Sequence, residues 1–268
     1  MNRDHDLKSG TQVLSDALSL LPRMRSITTD LIFARPKQKA VEWTKELDDF
    51  LHRFPQLPHL SLYELTVEKG TPLHKAVQKG LVDLPEEEER AKQYESAIEL
   101  LSTHGFQRYE ISNFSRGESH FGRHNMNYWF GGSFIGLGPG AHGRYHIEGK
   151  GRCATVQAPA INDWIRLVEL QGHGTRRCQE MSDLTVSEEV LVSALRTRWG
   201  IDLQLWTELT GDQVCLGEMV AQSDILQSFV RSGDLIFEES RCLRLSDKGL
   251  SLADYITPYL LSELARRY

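Results

Sequence analysis

His59-Leu60-Ser61-Leu62-Tyr63-Glu64-Leu65-Thr66-Val67 reads as a strand, and its flanks decide the fold. Upstream, Trp43, Leu47, Phe50, Leu51 and Phe54 recur at the spacing of an amphipathic helix. Before that helix, Ile27–Phe33 is a β-branched and apolar run, stopped by Ala34-Arg35-Pro36. Earlier still, Val13, Leu14, Ala17, Leu18 and Leu21 keep helical spacing up to Pro22. Downstream, Pro85 sits near the start of a helix whose opening Glu run suits the positive end of the helix dipole. Ala91, Tyr94, Ile98 and Leu101 form its predicted apolar stripe, and Gly105 is a natural stop. Tyr109–Ser112 is a further short strand. Strands separated by single helices imply right-handed βαβ units and a parallel sheet, hence an α/β fold. Only three such strands are present, and a helix precedes the first. The simplest account is a chain that begins inside a longer repeat, such as a barrel.

Working further outward, residues 115–157 change to Gly, Asn, His and aromatics with little helical periodicity. So long a stretch of this kind reads as a functional insertion. Residues 161–181 predict a connecting helix ending at Gly172–Gly174. From Ser182 the pattern is helix (Val186–Arg198), helix (Leu203–Leu209), helix (Met219–Ser232), then strands Asp234–Glu238 and Arg241–Leu245 and a last helix. Three helices and a β-hairpin make a winged-helix plan. Three domains follow: a βα remnant over 1–114, the insertion with its connecting helix over 115–181, and the winged-helix-type module over 182–268.

Composition narrows the class. The chain has 268 residues and a formal net charge of −6. Residues 182–268 hold eight Lys and Arg against fourteen Asp and Glu, so the acid excess lies on the module that resembles a DNA reader. Like charge repels phosphate, and the wing reads as structural or protein-contacting, with no nucleic-acid partner. No apolar run approaches the roughly 20 residues of a membrane helix. The polar start, Met1-Asn-Arg-Asp-His-Asp, is neither a signal peptide nor a transit peptide. Cys153, Cys178, Cys215 and Cys242 lack the close spacing that gathers a metal or cluster, and read as ordinary thiols.

The densest chemistry lies in Arg123-His124-Asn125-Met126-Asn127-Tyr128-Trp129-Phe130-Gly131-Gly132. An imidazole beside a tight aromatic group suits a metalloporphyrin, with axial ligation by nitrogen and ring faces over the macrocycle. A hydrogen-bonded packing histidine gives the same pattern. Gly138, Gly140 and Gly143 form a literal G-x-G-x-x-G, but no helix pattern follows. It reads as a close-approach loop rather than a nucleotide site. His142 within it is a second candidate ligand. Asp30, inside the first strand, and Glu64, inside the second, read either as acids at a barrel mouth or as salt-bridged structural residues.

Several segments occur in this order in one family. They are Arg3-Asp4-His5, Asp30-Leu31-Ile32-Phe33, His59–Leu65, Gly70-Thr71-Pro72-Leu73, Gly105-Phe106, Tyr109–Phe114, His124-Asn125-x-x-Tyr128-Trp129 and Gly136–Gly143. They resemble the HemW-type heme chaperones, once described as oxygen-independent coproporphyrinogen III oxidase-like proteins. The resemblance implies the C-terminal half of a partial (βα)6 radical SAM barrel, followed by a HemN-like α+β winged-helix-type domain. It implies S-adenosylmethionine contacts at Arg3 and Asp30, with Ile32 and Leu65 near the adenine. It implies heme binding by Asn125, Tyr128 and Trp129, with His124 as the iron ligand. Relatives carry a C-x-x-x-C-x-x-C motif for a [4Fe-4S] cluster, and this sequence has none. The family's Gly-Leu-Pro after the Asp strand is Ala34-Arg35-Pro36 here.

The expectation is an N-terminally shortened heme chaperone that passes heme to recipient hemoproteins. The resemblance allows a homodimer and suggests a mitochondrial location, with a cytoplasmic one open because of the polar start. Two other readings stay open: a porphyrinogen-oxidising radical SAM enzyme, which needs the missing cysteines, and an inactive shortened form.

Overall fold

The computed structural model describes residues 7–20, 26–149, 151–211, 213–239 and 241–268. The chain divides into two compact units, Met1–Gly122 and Arg123–Tyr268. The first unit runs α1 (Leu7–Ser19), β1 (Thr28–Phe33), α2 (Ala40–Arg53), β2 (His59–Glu64), α3 (Pro72–Gln78), α4 (Glu87–Thr103), β3 (Gln107–Arg108) and β4 (Asn113–Ser115). Its sheet has the order β1-β2-β4-β3. β1 and β2 are parallel, as the intervening helix requires, with Asp30 opposite Ser61 and Ile32 opposite Tyr63.

The third strand departs from the parallel expectation. β4 runs antiparallel to β2, and β3 antiparallel to β4. Residues 109–112 form the turn of a hairpin rather than a strand. The buried Glu110 carboxylate causes the reversal, accepting from the Ser112 backbone N–H and from the Asn113 amide. The sheets are open, and none closes into a barrel among the described residues.

Alternation along β1 and β2 sends Phe33, Leu60 and Leu62 into one core, where Trp43, Leu47 and Leu51 of α2 and Ala97 and Leu101 of α4 meet them. Leu18 of α1 joins the same cluster. The buried face of α4 is Gln93, Ala97 and Leu101 rather than the predicted stripe, of which Ala91 is exposed and Tyr94 and Ile98 are half-buried. Gln93 is fully buried, accepting from Ala34 N–H at 2.9 Å and donating to the Gln38 carbonyl at 2.9 Å. It thereby pins the turn after β1, where Ala34 sits in the left-handed region at φ 58°.

The opposite sheet face is polar. Thr28, His59, Ser61, Asn113 and Ser115 occupy it, and all but Thr28 are buried. Ser61 donates to Asn113 at 2.8 Å. The Tyr109 hydroxyl accepts from Gly122 N–H at 3.0 Å and lies 2.7 Å from His59 Nε2. His59 Nδ1 lies 2.7 Å from Thr28 Oγ1. This chain fixes a neutral His59. Burial depresses its pKa to about 4 against opposition from Asp30, with His120 adding a smaller depression. Burial likewise pushes the Tyr109 hydroxyl up to about 12.

The second unit opens with α5 (Arg123–Trp129) and an antiparallel sheet of β5 (His142–Ile147), β6 (Gly151–Gln157) and β7 (Thr175–Glu180). α6 (Ile161–Gln171) links β6 to β7 and stops at Gly172 in the left-handed conformation, as expected from its glycines. The residues after it form β7 instead of a continued connector. The winged-helix-type part follows: α7 (Asp183–Leu195), β8 (Ile201–Asp202), α8 (Leu203–Thr210), α9 (Leu216–Gln222), α10 (Asp224–Arg231), β9 (Leu235–Glu238), β10 (Cys242–Leu245), α11 (Asp247–Ser251) and α12 (Ala253–Ala265). Its sheet order is β8-β10-β9. The single helix expected over 219–232 is broken, because Ser223 leaves helical geometry and caps α10 through Leu226 N–H. Leu191, Leu195, Trp206, Leu243, Ile256 and Leu260 are among its buried residues. No described helix is long and apolar enough to cross a membrane.

Two stability predictions follow from the first unit. Gln93→Leu leaves the Ala34 N–H and Gln38 carbonyl unpaired in a dry site, so urea melts should show a loss of about 2–4 kcal/mol. An unchanged midpoint would mean that those groups find other partners. For His59, the folded pKa lies below the unfolded value of 6.5. The unfolded chain therefore binds the extra proton between those values. The stability contribution is complete above pH 6.5 and is lost as pH falls towards 4, about 3 kcal/mol in all. His59→Gln should flatten the pH dependence of the urea midpoint in that window. A slope equal to that of the parent would refute it.

Candidate functional site

Seven residues make α5, and its end is set by two glycines. Gly131 N–H donates to Tyr128 O at 3.1 Å and Gly132 N–H to Asn127 O at 2.8 Å, the two reversed bonds of a Schellman stop. Gly131 supplies the left-handed residue at φ 68°. A Cβ at position 132 would lie 2.7 Å from the Asn127 carbonyl oxygen, so only glycine closes the turn this tightly.

His124 and Tyr128 stand one helical turn apart and share a face. Tyr128 O–H lies 2.6 Å from His124 Nε2, and the rings meet edge to face at 4.5 Å between centroids. Tyr128 in turn packs edge to face on Phe134, at 4.4 Å. The imidazole is exposed, while Tyr128 and Phe134 are half-buried. Asn125 is half-buried on the same helix, and Asn127 donates to Ser133 O at 3.1 Å, steadying the turn.

Trp129 occupies another flank, since one residue turns the helix by 100°. The guanidinium of Arg196, at the C-cap of α7, lies 5.1 Å from its ring centroid. The indole Nε1–H is buried and meets no hydrogen-bond acceptor among the described residues. Phe130 packs 6.0 Å from Trp199. The structure thus joins His124 to Tyr128 and adds Phe134, while Trp129 and Phe130 face α7 and the loop after it.

Deep support comes from residues that sequence reasoning missed. Arg152 of β6 has a side chain only 4% exposed. It donates to the Gly131 carbonyl at 2.7 Å and pairs with Glu189 of α7 at 3.3 Å. Arg144 of β5 reaches the other Glu189 oxygen at 2.8 Å. Phe134 and Arg144 exchange backbone hydrogen bonds at 2.6 and 2.9 Å. The sole sequence signal was a charge, Arg152, set just before the apolar part of a strand.

Between Phe134 and β5 runs the glycine loop. Gly143 lies within β5 and no helix follows, as the close-approach reading required. Gly136 is buried, and a Cβ there would collide with the His142 carbonyl. Its neighbours Ile135 and Leu137 are 73% and 86% exposed. His142 is exposed at the start of β5, opposite Val156.

In the first unit, Asp30 and Ile32 lie on the polar sheet face, two residues apart on the edge strand β1. Asp30 is exposed and Ile32 half-buried. Leu65 follows β2, its N–H bonded to Phe33 O at 3.0 Å. Arg3 lies outside the described residues. Glu64 is an ion-pair partner of Arg90 on α4. The four cysteines are spread over β6, β7, the N-cap of α9 and β10. That donor set does not fit a [4Fe-4S] cluster, which needs clustered thiolates.

No family model matches the chain. Radical S-adenosyl methionine domain-containing protein 1, mitochondrial, of Danio rerio is 39% identical over 267 residues, covering 98% of this chain and 59% of that protein. Heme chaperone HemW of Lactococcus lactis is 37% identical over 250 residues, covering 89% and 59%. HemW of Bacillus subtilis is 28% identical over 239 residues. The chain spans about three-fifths of the length of the curated relatives it matches. Among solved structures, Escherichia coli coproporphyrinogen III oxidase (HemN), described as a radical SAM enzyme, superposes with a TM-score of 0.70 at 16% identity, over 96% of this chain and 59% of that one. The fold is therefore that α/β fold, here with open sheets. By sequence the chain is homologous to radical S-adenosyl methionine domain-containing protein 1 and to the HemW heme chaperones over about three-fifths of their length.

Proposed function

We propose that this chain binds heme at α5 and releases it to recipient hemoproteins. The observation that carries the reading is the exposed His124 imidazole set edge to face against Tyr128, which in turn packs on Phe134. A neutral imidazole supplies an axial ligand to heme iron. The edge-to-face column beneath it presents aromatic surface to a flat apolar ring. Ile135 and Leu137 add aliphatic surface on the loop after Phe134. Ligation through Nε2 displaces the Tyr128 hydroxyl, which keeps its ring contact with Phe134. An accessible ligand held by one hydrogen bond suits reversible transfer better than permanent retention. Relatives named heme chaperones support the same reading. Asn125 and Trp129 complete the motif, with Trp129 acting through the packing of α5 against Arg196.

Asp30, Ile32 and Leu65, with Arg3, are the residues of this chain that would contact S-adenosylmethionine. The polar sheet face and the exposed carboxylate of Asp30 fit a polar, cationic ligand. When bound beside a reduced iron–sulfur cluster, that cofactor supplies radical chemistry. This chain's cysteines do not assemble such a cluster, so no oxidase step is assigned to it. The proposed location is mitochondrial, as in the names of animal relatives.

Hemin titration followed by Soret absorbance tests the proposal. His124→Ala should bind at least about tenfold more weakly, or about 1.4 kcal/mol, and lose the nitrogen-ligated spectrum. Spectra and affinities matching the parent would remove His124 from the site. Arg152→Met should lower stability by about 1.5–3 kcal/mol by stripping charge-assisted bonds from Glu189 and Gly131. It should also weaken hemin binding, because the end of α5 loses its anchor. Full stability in a urea melt would show that the anchor is dispensable.

A further inference from the structure

A second chemically distinct cluster lies in the first unit, far along the sequence from His124. Asp48 and His52 sit one turn apart on α2, and His104 caps the end of α4. Asp48 Oδ1 lies 3.2 Å from His52 Nδ1 and 3.0 Å from His104 Nε2. One ligand atom from each residue falls within 4.8 Å of the others. The two imidazoles stand perpendicular with centroids 5.1 Å apart. We propose that Asp48, His52 and His104 form a binding site for a divalent transition-metal ion of the zinc type.

The spacing suits such an ion. Around a tetrahedral centre with bonds of about 2.0–2.1 Å, neighbouring ligand atoms lie about 3.4 Å apart. Two of the three separations are already close to that value. Two imidazoles and one carboxylate select zinc, cobalt, nickel or copper over magnesium and calcium, which prefer all-oxygen shells. The set carries one negative charge against the ion's two positive ones. His52 is largely exposed and Asp48 partly so, leaving water to fill the outer coordination position. In the metal-free state, protons lie between His52 Nδ1 and the Asp48 backbone carbonyl at 2.9 Å and between His104 Nε2 and Asp48 Oδ1 at 3.0 Å. The ion replaces them, and each neutral ring then carries its proton on its other nitrogen.

The positions are held by the fold rather than by the ligands. Leu47 and Leu51 flank Asp48 and are buried in the core, which fixes the rotation of α2. α4 ends in a Schellman stop: Gly105 N–H donates to Ser102 O at 3.0 Å and Phe106 N–H to Leu101 O at 2.9 Å. Phe106 enters the same core, so His104 is anchored on both sides. His104 is the least exposed of the three ligands, its side chain 19% accessible. A preorganised three-ligand set of this kind loses little conformational freedom on binding.

The test is Co2+ and Zn2+ titration of the full, untagged chain, with chelator competition for affinity. One equivalent of Co2+ should bind with a nitrogen–oxygen visible spectrum lacking thiolate charge-transfer bands. His52→Gln, His104→Ala and Asp48→Asn should each weaken Zn2+ at least tenfold, while His124→Ala should leave it unchanged. His52→Gln changes an exposed helix position, and circular dichroism checks that it folds. Absence of saturable binding, thiolate bands, or equal affinity in all variants would overturn the proposal. Since the readout involves no heme, its failure is independent of the proposed function.

Discussion

Arg152 carries the constraint on which the candidate heme site depends. Its guanidinium is withdrawn from water and shared between the Gly131 carbonyl, just past a seven-residue helix, and a carboxylate on α7. A helix so short is not stable on its own. α5 persists because its C-terminus is tied to a sheet through Arg152 and its side chains lean on Phe134, itself paired to β5. Glu189 gathers Arg144 and Arg152 together, so α7, β5 and β6 meet at a single carboxylate. One carboxylate answers two cations there, so the junction keeps a net positive charge, which the more exposed Arg144 shares with water.

The α/β class was legible from helical spacing in Trp43–Phe54 and from the apolar runs on either side. So was the winged-helix-type plan, whose helices and hairpin follow the predicted order. The antiparallel turn at 109–112 was not legible, because it is produced by a side chain. Glu110 reaches backbone and amide groups two and three residues on, a tertiary choice that periodicity does not encode. The sheet of β5, β6 and β7 was missed for a related reason. Glycines and polar residues mask its alternation, and the strands are recognisable only through one another. At the candidate site, the i, i+4 pairing of His124 and Tyr128 could be read once α5 was known. The separation of Trp129 onto another flank needed the helix itself.

The two faces of the first sheet divide labour in a way the sequence hints at. Leucines and Phe33 on one side bury against two helices. On the other, a line of hydrogen bonds runs from Gly122 through Tyr109 and His59 to Thr28. Asp30, on the same face and near His59, remains exposed. A neutral histidine beside it leaves the carboxylate as the local charge available to a polar ligand.

The trapped backbone of Gly136 has a wider consequence. Because it is pressed against the chain at His142, the residues on its two sides are held outside the interior. The molecule therefore keeps an oily tip permanently wetted. Such a tip is a standing liability for self-association, strengthened by warming and by kosmotropic salts. Any binding partner that caps it would improve solubility as well as complete a complex.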